Sequence, residues 1–467
     1  MYQDNFRNNS STLTDDGSRV WMYPKQVDGK YYKARTVVAT VLLAFLFTAP
    51  FVKVNGYPLL LFNVLERKFV IFGTPFFPQD LYIFALITVA FVVSVILFTV
   101  IYGRVFCGWA CPQTIFMEMV FRKIEYWIEG DANQQKKLNG QTWTTEKLWK
   151  KTLKHVIFFA LSFLIANTFL SYLVGVERLQ ELITDTPLKH PVSFVALVVF
   201  TGAFYGVFAF FRELACIVVC PYGRLQSVLL DNDSMVVAYD FVRGEPRGKM
   251  KKNETTSTAK GDCVDCKLCV HVCPTGIDIR NGTQLECVGC TACIDVCDEV
   301  MQKINKPEGL IRYASINNIK EQKPFKVTLR IVAYTSVLVL LMGVVLGVLF
   351  TRKDVQVTVL RTPGKLYQKI DDNTYSNLYN MDLVNKTMLP MEVKLRLKNK
   401  QGKITLVGQN TATVPLKAQE VGKAIFFIEL DRQMLEGVST KVVLEAYTPD
   451  RTIAELETTF LGPSVKR

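Results

Sequence analysis

Cys263-Val-Asp-Cys266-Lys-Leu-Cys269-Val-His-Val-Cys273-Pro274 and Cys287-Val-Gly-Cys290-Thr-Ala-Cys293-Ile-Asp-Val-Cys297 repeat one spacing twice within a short stretch. Three closely spaced thiolates wrap three corners of an iron–sulfur cubane, and the remote fourth cysteine reaches the neighbouring cubane. On that rule Cys263, Cys266, Cys269 and Cys297 ligate a first [4Fe–4S] cluster, and Cys287, Cys290, Cys293 and Cys273 a second. The small and apolar residues between them, such as Val264, Leu268, Val272, Ile277, Gly289 and Val296, exclude water and offer backbone N–H groups to sulfur. A pair of zinc knuckles is the competing reading, but zinc sites separate their ligand pairs by a longer gap. Asp298 stands where a second proline would stiffen the turn, and His271 inside the motif reads as a packing or hydrogen-bonding residue.

Outside this segment the chain is strongly apolar in blocks. Leu81–Tyr102, Val156–Val176, Val192–Phe211 and Ile331–Phe350 carry no charge. Each is long enough to cross a hydrocarbon layer of about 30 Å, which takes roughly 20 helical residues. Val37–Val52, interrupted by Pro50 and followed by apolar residues at Leu59–Phe62, reads as a fifth span. No block has the form of a cleaved signal peptide. The net charge of +13 is concentrated in alternate loops. Arg19, Lys25, Lys30, Lys33 and Arg35 precede the first span and many Lys and Arg follow the second, whereas residues 55–80 and 177–191 hold two each. This positive-inside pattern places the N-terminus and the cysteine-rich segment in the cytoplasm. It leaves no basic, aromatic-interleaved module for nucleic acid. All 12 cysteines lie before residue 298 and none beyond 353, as expected if the earlier part faces a reducing compartment and the C-terminal part an oxidising one.

Cys107-Gly-Trp-Ala-Cys111-Pro112 and Cys216-Ile-Val-Val-Cys220-Pro221 recur at matching ends of two helical hairpins, 36–102 and 155–211, which points to an internal duplication. Proline suits the first position of a new helix, so interfacial helices are expected from Pro112 and Pro221. The first, Gln113 to Ile128, is amphipathic enough to lie among headgroups. Cysteines four apart share a helix face, and two such faces can gather four soft thiols suited to copper(I). The plainer alternative is that these cysteines fill small buried positions at helix ends. Glu118 and Glu125 read as solvated helix-face carboxylates, with cation steering as the alternative. The three histidines, His155, His190 and His271, supply no mid-membrane haem pair, and no dinucleotide fingerprint is present. Electrons must therefore arrive from another protein or a diffusible donor.

From residue 354 short alternating runs take over, including Val393–Leu397, Ile404–Val407, Ala424–Leu430, Val442–Ala446 and Ile453–Thr458. Several short strands in about 110 residues predict an immunoglobulin-like β-sandwich. The expected architecture is a multi-domain membrane protein. Its α-helical transmembrane bundle of about five spans carries a cytoplasmic, bacterial-type di-cluster ferredoxin domain and a C-terminal all-β immunoglobulin-like sandwich. The expected divisions are a poorly ordered N-terminal tail (1–35), a transmembrane region of two hairpins (36–239), a linker (240–262), the 2×[4Fe–4S] domain (263–300), a connector (301–330), the last span (331–350) and the periplasmic sandwich (354–467).

Phe77-Pro-Gln-Asp80, Cys107-Gly-Trp-Ala-Cys-Pro-Gln-Thr114, Ile128-Glu-Gly-Asp131, Cys220-Pro-Tyr-Gly-Arg224 and Arg243-Gly-Glu-Pro-Arg247 carry a family resemblance, together with Cys273-Pro-Thr-Gly-Ile-Asp-Ile-Arg280, Cys293-Ile-Asp-Val-Cys-Asp298 and Gly309-Leu-Ile-Arg-Tyr313. Together these stretches resemble the FixG-type cytochrome c oxidase accessory proteins, also called CcoG or RdxA, over nearly the whole chain; Asp298 matches that family. The resemblance implies a bacterial inner-membrane oxidoreductase, or a non-enzymatic electron carrier, serving assembly of cbb-type oxidases by reducing Cu(II) to Cu(I) for insertion. It implies an immunoglobulin-like domain outside the membrane and carries over the cluster ligands position by position. Cys107, Cys111, Cys216 and Cys220 carry over as a candidate copper or redox site. The implied partners are the lipid bilayer, a cytoplasmic electron donor, copper or copper-delivery proteins, and oxidase assembly intermediates. The alternatives are a polyferredoxin subunit of a quinol-linked respiratory chain and a redox-sensing assembly scaffold.

Overall fold

The computed structural model describes residues 16 and 18–463, apart from 55, 65–67, 77–80, 187–188, 250–259, 323–328, 352–354, 365, 388, 409–411, 419–420 and 450. The Phe77–Asp80 motif, much of the 240–262 linker and part of the 301–330 connector lie outside the described residues. The chain divides into two compact units, Met1–Lys53, Pro58–Arg67 and Leu81–Val345 against Val54–Tyr57, Lys68–Asp80 and Leu346–Arg467.

Among the described residues five helices are long and apolar enough to cross a membrane: Lys30–Thr48, Tyr82–Tyr102, Thr145–Val174, Pro191–Phe211 and Ile331–Leu349. Three boundaries differ from the hydropathy reading. The first helix starts at Lys30 rather than Val37 because the Asp295 carboxylate accepts the N–H groups of Tyr31 and Tyr32, at 3.0 and 2.8 Å, and so caps it. It ends at Thr48, and Leu60–Asn63 is a strand, not the continuation of a span. The third helix begins at Thr145, where Thr144 Oγ1 accepts the Lys147 N–H, so a charged first stretch precedes its apolar part.

Three further expectations are corrected in the first unit. Within the 1–35 tail, the segment before the first helix is held in place: the Lys25 N–H donates to the His271 carbonyl, and Trp21 lies under the Arg19 and Arg212 guanidinium groups. Residues 240–248, read as linker, are folded, with the Arg243 N–H capped by Asp240 and its guanidinium paired to Asp262. The helix after Pro112 is not one continuous amphipathic α-helix. It runs through a π-helical segment, Ile115–Phe121, before Arg122–Glu129, and buries Phe116, Met117 and Phe121. Phe121 stacks on Phe208 at 4.5 Å and meets Phe158 edge-on at 4.8 Å, because apolar residues on all sides of this helix find helices to pack against.

The cysteine-rich segment is clasped by a two-stranded antiparallel sheet, Val236–Tyr239 with Ile311–Ala314, and carries the helices Leu268–His271 and Ala292–Lys303. Its core joins Val237, Tyr239, Ile277, Ile294, Met301 and Leu310 to the cysteines themselves.

In the second unit two antiparallel sheets form the expected sandwich. One runs in the order Gly402–Leu406, Val421–Asp431, Thr374–Asn385, Val355–Arg361, with Gln368–Lys369 pairing to Thr374–Asn385. The other runs Thr413–Leu416, Met391–Leu397, Ser439–Tyr447, Thr452–Leu461. Period-two alternation sends Tyr379, Met381, Leu383, Phe426, Ile428, Leu430, Val442, Leu444 and Phe460 into one core. Tyr379 crosses it to donate its hydroxyl to the Thr459 carbonyl at 2.9 Å.

Candidate functional site

The two cysteine triplets fold alike. Asp265 and Gly289, each preceding a middle cysteine, are left-handed (φ 50° and 68°), and so are Lys267 and Thr291, which follow it (57° and 64°). These paired reversals curl each loop before its helix begins at Leu268 or Ala292. The loops enclose two voids. One is lined by Cys263, Cys266, Cys269 and Cys297 among Tyr239, Leu268, Val296 and Met301. The other is lined by Cys273, Cys287, Cys290 and Cys293, bordered by Cys269, among Val237, Ile277, Ile279 and Val288. The remote cysteine of each motif thus faces the void of the other. His271 is exposed, and its side chain faces neither void.

The donor set fits iron–sulfur clusters. Burial pushes the Cys269 and Cys297 thiols up to about 12 and Cys290 to about 11. Ligation of iron would displace the thiol protons. Backbone N–H groups approach the sulfurs: Thr275 and Ile277 at Cys273, Gly289 at Cys287 and Ala292 at Cys290. Such donors stabilise thiolate once it forms. Asp298 takes no part in lining; its Oδ1 accepts the Gly309 N–H at 2.8 Å, tying down the loop before Ile311–Ala314.

The paired cysteines lie together in the same unit. Burial raises Cys107 to about 11 and Cys216 to about 12; Cys111 and Cys220 add to the first, and Cys111, Cys107 and Cys220 to the second. The buried Gln226 amide donates to Cys107 Sγ at 3.1 Å. The 107–111 loop presses on the second cluster loop: a Cβ on Gly108 would stand 2.2 Å from the Gly289 carbonyl oxygen and 3.1 Å from Cys290 N. Arg35, buried, joins the two, its Nε donating to Gly108 O at 2.9 Å and Nη1 to Cys290 O at 2.6 Å. Arg104 Nη1 donates to Cys287 O at 3.0 Å, and its Nη2 reaches Gly223 O, in the helix after Cys220, at 3.5 Å. Trp109 donates to the Tyr313 hydroxyl at 3.0 Å, and Tyr313 to Gly289 O at 3.4 Å.

Glu118 and Glu125, expected to be solvated, are built into a buried ionic network. Glu125 pairs with Arg212 and, at 3.6 Å, with Lys154; Lys154 and Lys151 each reach Glu129 at 2.9 Å. Glu118 accepts from Arg122 at 3.0 Å. Burial raises the Glu125 carboxyl, but Arg212, Lys154 and Arg122 outweigh it and hold the group below its ordinary value. Sequence reading missed this network and also Arg35, Arg104, Gly108, Trp109 and Gln226. Gly108 and Trp109 stand inside a motif already singled out; nothing local marks the others.

Family models locate this chemistry. A 4Fe-4S dicluster domain matches residues 211–316, a 4Fe-4S binding domain residues 84–130, and the IG-like fold at the C-terminal of FixG residues 345–463. Protein RdxB of Cereibacter sphaeroides is 36% identical over 385 residues, 78% of this chain and 79% of that protein. Protein RdxA of the same organism is 34% identical over 424 residues, 86% and 88%. The nitrogen fixation protein FixG of Rhizobium meliloti is 32% identical over 305 residues, 64% and 57%. With apolar helices, cluster-binding loops and a sandwich in one chain, this is a membrane iron–sulfur electron-transfer protein, and it belongs to the FixG/RdxA-type family.

Proposed function

We propose that the protein takes single electrons from a cytoplasmic donor and delivers them to Cu(II), yielding Cu(I) for assembly of a cbb-type cytochrome c oxidase in the bacterial inner membrane. Cys263, Cys266, Cys269 and Cys297 hold one [4Fe–4S] cluster, and Cys287, Cys290, Cys293 and Cys273 the other. When bound, such clusters store and pass one electron each. The chain's residues keep water from the sulfurs, direct N–H groups at them and fix the distance to the next site. Cys107, Cys111, Cys216 and Cys220 form the exit, where each Cu(II) receives one electron. The N-terminus and clusters face the cytoplasm, and 354–467 faces the periplasm, where it docks assembly intermediates or copper-delivery proteins.

The observation that carries this reading is the glycine-tight contact of the 107–111 loop with Gly289 and Cys290. It puts the paired thiols beside a cluster loop. The test is anaerobic reduction of Cu(II) by purified protein: Cys107→Ser and Cys216→Ser should abolish it while the clusters at 263–297 remain. Undiminished reduction would remove the paired cysteines from the path.

A second reading, quinol-linked respiration, is favoured by one feature. An open cavity of about 900 Å³ is lined by Trp143, Leu148, Phe159, His155 and Tyr205, with the Tyr205 hydroxyl 2.9 Å from His155 Nδ1. Reduction of the clusters by a quinol analogue, lost in His155→Leu, would support it.

A further inference from the structure

The two cluster loops are one turn in two different surroundings. Asp265 and Lys267 about Cys266 are left-handed, as are Gly289 and Thr291 about Cys290. The second copy is covered. Cys290 and Thr291 are buried, Arg35 Nη1 donates to Cys290 O at 2.6 Å, and a Cβ on Gly289 would meet Arg104 O at 2.8 Å. The first copy is bare. Of the twelve cysteines Cys266 alone is exposed, and so is Lys267 beside it, where the covered loop has buried Thr291. Asp265 stands in place of Gly289, since no neighbouring backbone crowds it out. Cys266 still lines one void with Cys263, Cys269 and Cys297, so the first cluster site reaches the surface at this turn.

The surface around the bare turn presents positive charge. The Gly248 N–H donates to Cys263 O at 3.1 Å, which lays exposed Arg247 and Lys249 against the first loop. The nearby carboxylates are committed to other cations. Asp265 and Asp278 hold the buried Arg280 at 2.6 and 2.7 Å, and Asp262 holds Arg243 and Lys306 at 2.5 and 2.9 Å. Glu245 lies 3.6 Å from Arg247. Exposed Lys249 and Lys267 are matched to none of these.

We propose that residues 265–267 with Arg247 and Lys249 form the docking surface for the electron donor, and that the donor is a small acidic one-electron carrier protein. This rests on the reading that the chain accepts electrons from another protein, and it adds the place and the partner's chemistry. An exposed turn, unlike a cleft, suits contact between two protein surfaces. Basic side chains around it draw an acidic partner in and fix its orientation. One electron leaves the carrier's reduced centre, which is oxidised by one unit, and is gained by the cluster of Cys263, Cys266, Cys269 and Cys297; no bond or proton is exchanged. The bare loop then faces the donor and the covered loop faces the 107–111 segment, which gives the pair of clusters a direction.

The test uses full-length protein with both clusters loaded, in nanodiscs, and an acidic flavodoxin as the probe. The Kd of the oxidised probe is measured at low and high salt, and electron transfer from its reduced form by stopped flow. Lys249→Glu with Lys267→Glu should weaken binding and slow transfer by roughly tenfold or more at low salt. The gap should close at high salt, where exposed charges are screened. Iron content and dithionite-reduced EPR signals should stay as in the wild type. Reversing exposed Lys136 and Lys137, on the helix Ala132–Gly140, should change little. If Lys267→Glu disturbs its cluster, Arg247→Glu with Lys249→Glu carries the same prediction. A wild type that neither binds flavodoxin nor takes its electrons, binding indifferent to salt, or an equal loss in the Lys136 and Lys137 variant would overturn the proposal. Cu(II) reduction by dithionite-reduced protein separates the two readings. If it persists while flavodoxin fails, the docking surface is wrong and the copper reading stands. If flavodoxin fills the clusters and Cu(II) is not reduced, the docking surface stands and the copper reading falls.

Discussion

Replacing Gly108 by alanine probes the contact on which the proposed electron path depends. The added Cβ would lie 2.2 Å from Gly289 O and 2.6 Å from its carbonyl carbon, where ordinary contact begins at 3.4 Å. The loops must therefore part by about 1 Å, and neither can yield through a side-chain rotation, because both obstacles are backbone. Gly289 is further fixed by its left-handed conformation, and a Cβ there would meet Arg104 O at 2.8 Å. Overpacking of this kind costs about 1–3 kcal/mol, and stretching the Arg35 bond to Gly108 O removes up to about 1 kcal/mol more. For a body of this size that is a fall in Tm of roughly 2–10 °C. The assay is thermal unfolding of detergent-solubilised protein beside Gly140→Ala, whose Cβ would enter open space and cost under about 0.5 kcal/mol. Iron at the dicluster loops should be retained in Gly108→Ala while Cu(II) reduction slows. Wild-type Tm together with wild-type reduction would refute the argued contact.

Exchange of remote ligands makes a second prediction: Cys273→Ser should damage the cluster of Cys287, Cys290 and Cys293, and Cys297→Ser that of Cys263, Cys266 and Cys269, distinguishable by which EPR signal is lost. Glu125→Ala strands the Arg212 guanidinium in a buried site, while Lys154 keeps Glu129, and should cost about 3–5 kcal/mol, visible as a large fall in Tm, whereas Glu146→Ala on the surface should change little. In the sandwich, hydrogen bonds from Arg396 and Thr452 hold Glu445 down at about 2. A depressed carboxyl stabilises the fold above its unfolded value near 4.3, and this is lost as pH falls towards 2. Glu445→Gln should therefore flatten the acid limb of stability between about pH 4.5 and 2, and an unchanged limb would contradict the pairing.

What the sequence made legible was local. The doubled cysteine spacing, the uncharged blocks and the CxxxCP repeat each occupy a few consecutive residues, and short-range rules read them. The sandwich was legible where alternation is clean, as at Ala424–Leu430, but not in Thr374–Asn385, whose Ser376 and Asn377 are buried polar residues in a strand. The start of the first membrane helix depends on Asp295, more than 260 residues away, which no hydropathy window can see. Glu125 gives the same lesson for charge: its surroundings decide whether a helix-face carboxylate is solvated, and Arg212, Lys154 and Arg122 come from three places in the chain. The contact between the paired-cysteine segment and the second cluster loop was hidden for that reason too. Arg35 is one cation among many in a basic segment until the fold sets it between Gly108 and Cys290.

The most direct test of iron–sulfur electron delivery to copper is EPR of anaerobic, dithionite-reduced protein, freed of excess dithionite, before and after stoichiometric Cu(II), with Cu(I) counted by a chelator. Reduced-cluster signals that vanish as one Cu(I) forms per electron lost are the predicted result. Protein that contains zinc or lacks inorganic sulfide, or clusters that stay reduced in the presence of Cu(II), would contradict it.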